Sequence, residues 1–196
     1  MQGLEDCRLF SFNHSLWFSC TTRHLHPAIV GQSLGKLDHT ENSATISIEK
    51  LIALQGPDPK RNEKNWLPFV KDQKLHFIYA YDPLTIYQFD PETGKGQIVF
   101  QYDSINDFSN FRGSAGPISF EGGYLVVVHE VVYQKEGRVY LHRFLYLDQN
   151  FVIKKVSHPF TFLHQGVEFC SGMTVDHAGE KCILTIGYED QKAYFV

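Results

Sequence analysis

A rhythm of short strands constrains this chain more than any other feature. Runs rich in β-branched and aromatic residues follow one another with turn residues between them, and they fall into groups of four. The first group is residues 9–12, 16–22, 28–32 and 46–54, and the second is 66–69, 75–81, 86–89 and 97–102. The third is 116–120, 124–132, 139–147 and 152–156, and the last has three members, 172–175, 182–188 and 193–196. Asn13-His14-Ser15, Asp72-Gln73-Lys74, Asp82-Pro83 and Pro91-Glu92-Thr93-Gly94 punctuate the runs with turn chemistry. No stretch sustains a helical repeat beyond two turns, and residues 48–54 come nearest. Four antiparallel strands recurring every roughly 45–50 residues describe the blades of a β-propeller. The expectation is an all-β chain forming one domain over residues 1–196. It has three full blades and a fourth lacking its outer strand, arranged radially as an incomplete ring with almost no helix.

Composition narrows the function classes. Of 196 residues, 43% are hydrophobic, enough to bury a sizeable core. A net charge of -4 gives no basic footprint for nucleic acid. No run approaches the ~18 apolar residues of a membrane helix. The opening MQGLEDCRLF lacks the basic-then-apolar order of a secretory signal, so a cytoplasmic location with reduced thiols is expected. Cys7, Cys20, Cys170 and Cys182 make no CxxC spacing, which argues against a zinc knuckle, and no cofactor motif occurs.

Four stretches concentrate chemistry. Residues 112–132, RGSAGPISFEGGYLVVVHEVV, join a turn-prone Gly-rich segment opened by Arg112 to a tight turn and an apolar strand ending on His129-Glu130. A strand delivering a His beside a Gly-rich loop can furnish a polar pocket, or can be a core hairpin with a satisfied His. Residues 3–8, GLEDCR, put Glu5, Asp6 and Arg8 just ahead of a strand, where Asp6 could serve as a general acid or simply sit in a solvated turn. In residues 63–69, EKNWLPF, Lys64 and Asn65 precede Trp66 where a loop enters the core or where a Lys stays solvated. In residues 167–172, VEFCSG, Glu168 lies in an apolar context and needs a partner, while Tyr188 and Asp190 follow in GYED, where a turn Asp is ordinary.

Together these stretches resemble the five-bladed β-propeller β-mannoside phosphorylases and mannosidases. GLEDCRLF followed by LWFSCTT is similar to that family's Glu-Asp-Pro-Arg strand pair. KNWLPFVKDQKLHFIY is similar to its Lys-Asn or Lys-Asp, Leu-Phe-Pro, Gly-Lys-Tyr segment, and GSAGPISFEGGYLVVVHEVV to its Gly-x-Gly-x-Pro-Pro, Gly-Trp-Leu, Tyr-His-Gly-Val segment. VYLHRFLYLD, SHPFTF, VEFCSG and ILTIGYEDQKA follow in the family's order, so the match spans nearly the whole chain. The resemblance implies that Asp6 is the general acid and Arg8 the Arg that follows it. It places Lys64 and Asn65 at a pocket rim, His129 in the Tyr-His-Gly segment, and Glu168 and Asp190 against sugar hydroxyls. Trp66, Tyr81 or Tyr188 would offer aromatic faces, and Arg112 completes the expected substrate set.

The departures from the family pattern also carry information. Cys7 stands where the family has Pro and Glu130 where it has Gly. The phosphate-gripping basic residues of the phosphorylases fall near residues 27–29 and 80–82, which contain neither Arg nor Lys; His26 alone is nearby. A phosphate site without cations is costly, so phosphorolysis is disfavoured and hydrolysis, transfer or plain carbohydrate binding remain. The family's first blade would lie upstream of Met1, so the expectation is a fragment or truncated relative. The open edges near residues 9–12 and 193–196 would then be covered by self-association or by a further domain that completes the ring. Three readings stand: a glycosidic-bond-cleaving propeller on mannosides or related glycans, a non-catalytic glycan-binding or accessory propeller associated with a glycosyltransferase, and a structural β-domain without ligand.

Overall fold

The structure, a computed structural model, describes residues 3–26, 28–38, 45–135 and 137–196. Met1 and Pro27, which figured in the sequence reading, lie outside them. Among the described residues there is no helix; every element is a strand. The first four are β1 (Glu5–Phe12), β2 (Ser15–Thr22), β3 (Gly31–Asp38) and β4 (Ser47–Ala53). Then come β5 (Leu67–Lys71), β6 (Lys74–Tyr81), β7 (Leu84–Phe89) and β8 (Gly96–Tyr102). They are followed by β9 (Arg112–Phe120), β10 (Gly123–Gln134), β11 (Gly137–Leu147) and β12 (Ile153–Val156). The last three are β13 (Glu168–Val175), β14 (Cys182–Tyr188) and β15 (Lys192–Phe195). Each sheet is a simple up-and-down meander: β1-β2-β3-β4, β5-β6-β7-β8, β9-β10-β11-β12 and the three-stranded β13-β14-β15.

Turn chemistry sets this pattern. Asn13-His14, Asp72-Gln73, Glu121-Gly122 and Glu189-Asp190 each place two successive residues at positive φ between antiparallel strands. In the first three, where two residues separate the paired strand ends, that is the two-residue hairpin geometry whose twist matches the strands it joins, and it pins the register on both sides; in the last, three residues separate Tyr188 from its partner Lys192.

The sequence reading misplaced some boundaries. The run at 28–32 is not a strand; β3 starts at Gly31, where that run ends. Its sequence, GQSLGKLD, hides the strand because two positions must be glycine. A Cβ on Gly31 would lie 2.4 Å from the His26 ring, and one on Gly35 would lie 2.2 Å from the Phe18 ring. The near-helical 48–54 segment is strand β4, paired to β3. The Gly-rich stretch from Arg112 is not a loop but the body of β9. The register skips between Leu125 and Val127 and again between Val127 and Val128, so β9 bulges against β10, with Gly116 at φ 88°.

The chain divides into two compact units, residues 1–79 with 86–101, and residues 80–85 with 102–196. In the first unit the core gathers Phe12, Trp17, Leu34, Leu54, Trp66, Leu75, Phe77, Tyr87 and Phe89. Trp66 stacks on Phe89 at 5.6 Å and meets the edges of Phe77 and Tyr79. Aromatic pairs of this kind add about 1 kcal/mol beyond their buried area. In the second unit Ala115, Val127, Cys170, Leu184 and Ile186 form a core with Phe144, Phe162 and Met173 against it. Within each unit the first strands of two sheets are neighbours, β1 beside β5 and β9 beside β13. That adjacency brings residues far apart in sequence to one place.

Candidate functional site

The first cluster forms where β1 lies beside the segment leading into β5. Glu5 pairs with Thr21 and Arg8 with Ser19, so two residues of β1, Asp6 and Cys7, oppose the single residue Cys20 of β2. This bulge puts Asp6 at φ 55°, and Asn65, on the neighbouring segment, is at φ 65°. Left-handed backbone is uncommon outside glycine, and Asn and Asp tolerate it best. Two such residues side by side are a local concentration of strain of the kind found at binding sites.

Arg8 ties the two together. It is 3% exposed, its Nη1 donates to the Asp6 carbonyl at 2.9 Å, and its Nη2 donates to Asn65 Oδ1 at 3.4 Å. Lys64 Nζ lies 3.5 Å from both Asp6 Oδ2 and Glu5 Oε2. Asp6 keeps a quarter of its side chain exposed and Lys64 two-fifths. The cluster is therefore half-open, with two carboxylates and an ammonium within reach of solvent and a guanidinium behind them. A pocket of about 330 Å³ lined by Gly3, Glu5, Thr21, Thr22 and Arg23 adjoins it. Thr21 Oγ1 is buried there without a hydrogen-bond partner.

The loop carrying Lys64 and Asn65 is anchored by Glu63. Its backbone N–H donates to the Val30 carbonyl at 2.8 Å. Its carboxylate, 5% exposed, accepts from Tyr79 Oη at 2.9 Å and Trp66 Nε1 at 3.3 Å. Burial raises the Glu63 carboxyl above its ordinary range, opposed by the hydrogen bonds from Tyr79 and Trp66 and the charge of Arg61. Trp66 itself is 1% exposed in the core, so its ring offers no face to a sugar.

The second unit holds the other expected residues. His129, on β10, is 2% exposed; its Nδ1 shares a 2.8 Å hydrogen bond with Ser114 Oγ, and its ring stacks on Tyr140 at 5.0 Å. Directly opposite in register is His142 on β11. Its ring is wedged against Phe162 at 4.7 Å, and neither of its nitrogens has a hydrogen-bond partner. Burial lowers the His142 imidazole to about 4, with the Glu168 charge acting the other way. Glu168 is fully buried and accepts from three consecutive backbone N–H groups, Phe162, Leu163 and His164, at 2.6 to 2.8 Å. Its lone pairs are thereby committed to holding the chain before β13 rather than to a hydroxyl. Tyr188 is half-buried opposite Glu168, with His164 at its edge. Asp190 is an exposed residue of the β14–β15 turn, and Arg112 is exposed at the start of β9. Tyr81 is buried.

Among the expected residues, then, Asp6, Arg8, Lys64 and Asn65 meet in one cluster in the first unit. His129, Glu168, Tyr188 and Asp190 lie in the second. Glu5, Thr21 and Arg23 were missed as site residues; Glu5 stood in the motif, but Thr21 and Arg23 become visible only once β1 and β2 are paired. Glu130, which departs from the family's Gly, forms an ion pair with Arg143 at 2.5 Å, and Arg143 also donates to the Ser157 carbonyl.

No protein-family model matches the chain. A curated relative, "Beta-mannosyltransferase 2" of Komagataella phaffii, is 34% identical over 61 residues, 30% of this chain. The match spans about a tenth of that relative's length. Among solved structures, the GH43 BlXynB protein from Bacillus licheniformis superimposes with a TM-score of 0.57 at 12% identity, over 99% of this chain and 40% of that one. The endo-arabinase from Bacteroides thetaiotaomicron VPI-5482 gives 0.56 at 10% identity, over 97% and 72%. A thermostable family-43 glycoside hydrolase gives 0.55 at 10% identity, over 96% and 73%. These likenesses establish the fold: all-β, a partial β-propeller with three four-stranded blades and one of three strands, as the strand grouping implied. Among the described residues no helix is long and apolar enough to cross a membrane.

Proposed function

We propose that this chain forms a single partial-propeller domain of a carbohydrate-active protein that acts on mannosides or related glycans by acid-assisted cleavage of a glycosidic bond. The observation that supports it is the half-open cluster of Glu5, Asp6, Lys64, Arg8 and Asn65 beside a polar pocket. The resemblance to the five-bladed β-mannoside phosphorylases and mannosidases falls on those same residues. The glycoside hydrolase folds among the solved neighbours agree with it.

In this reading the Asp6 carboxyl gives its proton to the glycosidic oxygen as the bond to the anomeric carbon breaks. A water molecule supplies the new hydroxyl and releases a proton to solvent. Arg8 and Asn65 act on the reaction only by fixing the bulge that aims Asp6. Lys64 and Glu5 offer a donor and an acceptor for sugar hydroxyls, and Thr21 Oγ1 a further buried partner. Water is favoured over phosphate as acceptor. Residues 80–82 carry no cation, and Arg23, the basic residue among those lining the pocket, shares it with Glu5. A phosphate of about two negative charges would be set against carboxylates. A cytoplasmic location, where thiols stay reduced, is part of this proposal.

The segment shared with a β-mannosyltransferase favours one second reading, an accessory glycan-binding propeller associated with a glycosyltransferase. Incubation with an aryl β-mannoside, with and without inorganic phosphate, separates the readings. Release of mannose that is lost in Asp6→Asn is expected. Mannose 1-phosphate as product would overturn hydrolysis. Glycan-array binding without turnover would favour the accessory reading, and neither binding nor turnover would sink both.

A further inference from the structure

We propose that Cys7 and Cys20 are a dithiol oxidation site that closes into a reversible cross-strand disulfide at the bulge carrying Asp6. The geometry starts with the register. Because Glu5 opposes Thr21 and Arg8 opposes Ser19, Cys7 can face only Cys20 across the β1–β2 pair. At such a bulge two residues of one strand share a single partner on the other, so Cys7 and Cys20 are cross-strand neighbours. The two thiols are close enough for each to act on the other's ionisation. Cys170 and Cys182 have no such arrangement. On the β13–β14 pair Cys170 opposes Ile186 and Cys182 opposes Val175.

The two members of the pair differ in access and in chemistry. Cys7 is exposed and Cys20 is fully buried. The Cys20 hydrogen bond holds the Cys7 thiol below its ordinary range, helped by Arg8 and opposed by burial and Asp6. The same contact, together with burial, pushes the Cys20 thiol far up. Cys7 is thus the attacking thiolate and Cys20 the concealed resolving thiol. With a low-molecular-weight disulfide such as oxidised glutathione as co-reactant, the Cys7 thiolate attacks one glutathione sulfur and the first glutathione leaves as its thiolate. Capping removes the neighbouring negative charge that disfavours ionisation of Cys20. The Cys20 thiol then loses its proton to solvent and attacks the Cys7 sulfur, and the second glutathione departs. The pair loses two electrons and oxidised glutathione gains them. The product would lock the bulge on which Asp6 and Arg8 depend.

This site is independent of the sugar reading, and its test does not use activity. The folded chain is incubated with oxidised glutathione, remaining thiols are alkylated, and intact mass and peptide mapping are read. The expected result is loss of two hydrogens with a linked Cys7–Cys20 peptide, reversed by dithiothreitol. Cys20→Ala should stop at a Cys7–glutathione adduct. Cys7→Ser, an exposed change that leaves the core intact, should protect Cys20 from any modification. A stable Cys7 adduct with Cys20 still alkylatable in the wild-type chain, no reaction at Cys7, or crosslinks through Cys182 would overturn the proposal.

Discussion

His142 makes the stability of this protein depend on pH in a calculable way. The imidazole is fully buried, faces Phe160, Phe162 and His129, and has no hydrogen-bond partner for either nitrogen. The Glu168 carboxylate is the charged group that acts on it. Burial holds it at about 4 in the folded chain against 6.5 when free. The unfolded chain therefore binds the extra proton between those two values, and folding is favoured most above 6.5. As pH falls through the window this stabilisation is lost, reaching about 3 kcal/mol below pH 4 at about 1.4 kcal/mol per pH unit, and about 2 kcal/mol by pH 5. His26 and His76 are also lowered by burial and add to the slope with the same sign. The comparison that isolates His142 is His142→Phe, whose ring suits the aromatic surroundings. Urea unfolding of both proteins near pH 7 and near pH 5 gives four free energies. The wild-type chain should lose about 2 kcal/mol more than the variant between the two conditions. Parallel losses would refute the reasoning and mean that water or Glu168 satisfies the imidazolium.

Glu168→Ala removes the acceptor of three backbone N–H groups and should cost about 3 kcal/mol or more, read as a lower urea midpoint with earlier proteolysis around residues 160–166. Trp66→Ala should destabilise by about 3–5 kcal/mol, since the ring packs against Phe77, Tyr79 and Phe89; a loss under about 1 kcal/mol would contradict its place in the core. Asn65→Ala should raise KM or weaken glycan binding while Asn65→Gly retains backbone geometry, because φ 65° strains any residue with a Cβ; equal behaviour of the two would remove the strain argument. Phe195, 81% exposed on β15, the last strand of its sheet, should promote association of the isolated chain; Phe195→Lys should shift light scattering toward monomer.

Strand count and grouping were legible because period-2 alternation and turn residues are local signals. Val126, Val127 and Val128 could only be a buried strand, and Asn13-His14 and Asp72-Gln73 could only be turns between such runs. The strand β3 was not legible because its two glycines answer to the His26 and Phe18 rings, partners a local reading cannot see. The same limit applied to the site. The charges at Asp6, Arg8 and Lys64 announced themselves, and their meeting followed from the first strands of successive sheets being neighbours. Glu168 was noticed as a buried carboxylate in need of a partner. That its partners are three amides of the preceding segment depends on a chain path no motif encodes. Trp66 carried a misleading signal, since a Trp beside Lys and Asn suits a sugar platform and a core equally well. Only the positions of Phe77 and Phe89 decide between them.

The irregularities in pairing are not spread evenly. β1, β9 and β13, each the first strand of its sheet, bulge against their neighbours, and β12 and β4 slip at the opposite margin. The middle pairs β2–β3 and β10–β11 run without a break, the latter from Tyr124–Leu147 to Gln134–Gly137. A residue inserted into a bulged strand can be taken up as a further bulge. The same insertion in β10 or β11 would turn every later side chain, from His129 or His142 onward, to the wrong face. Descendants of this chain can therefore gain or lose single residues beside Asp6 and along β9, and so reshape a rim, while length along the central hairpin stays fixed.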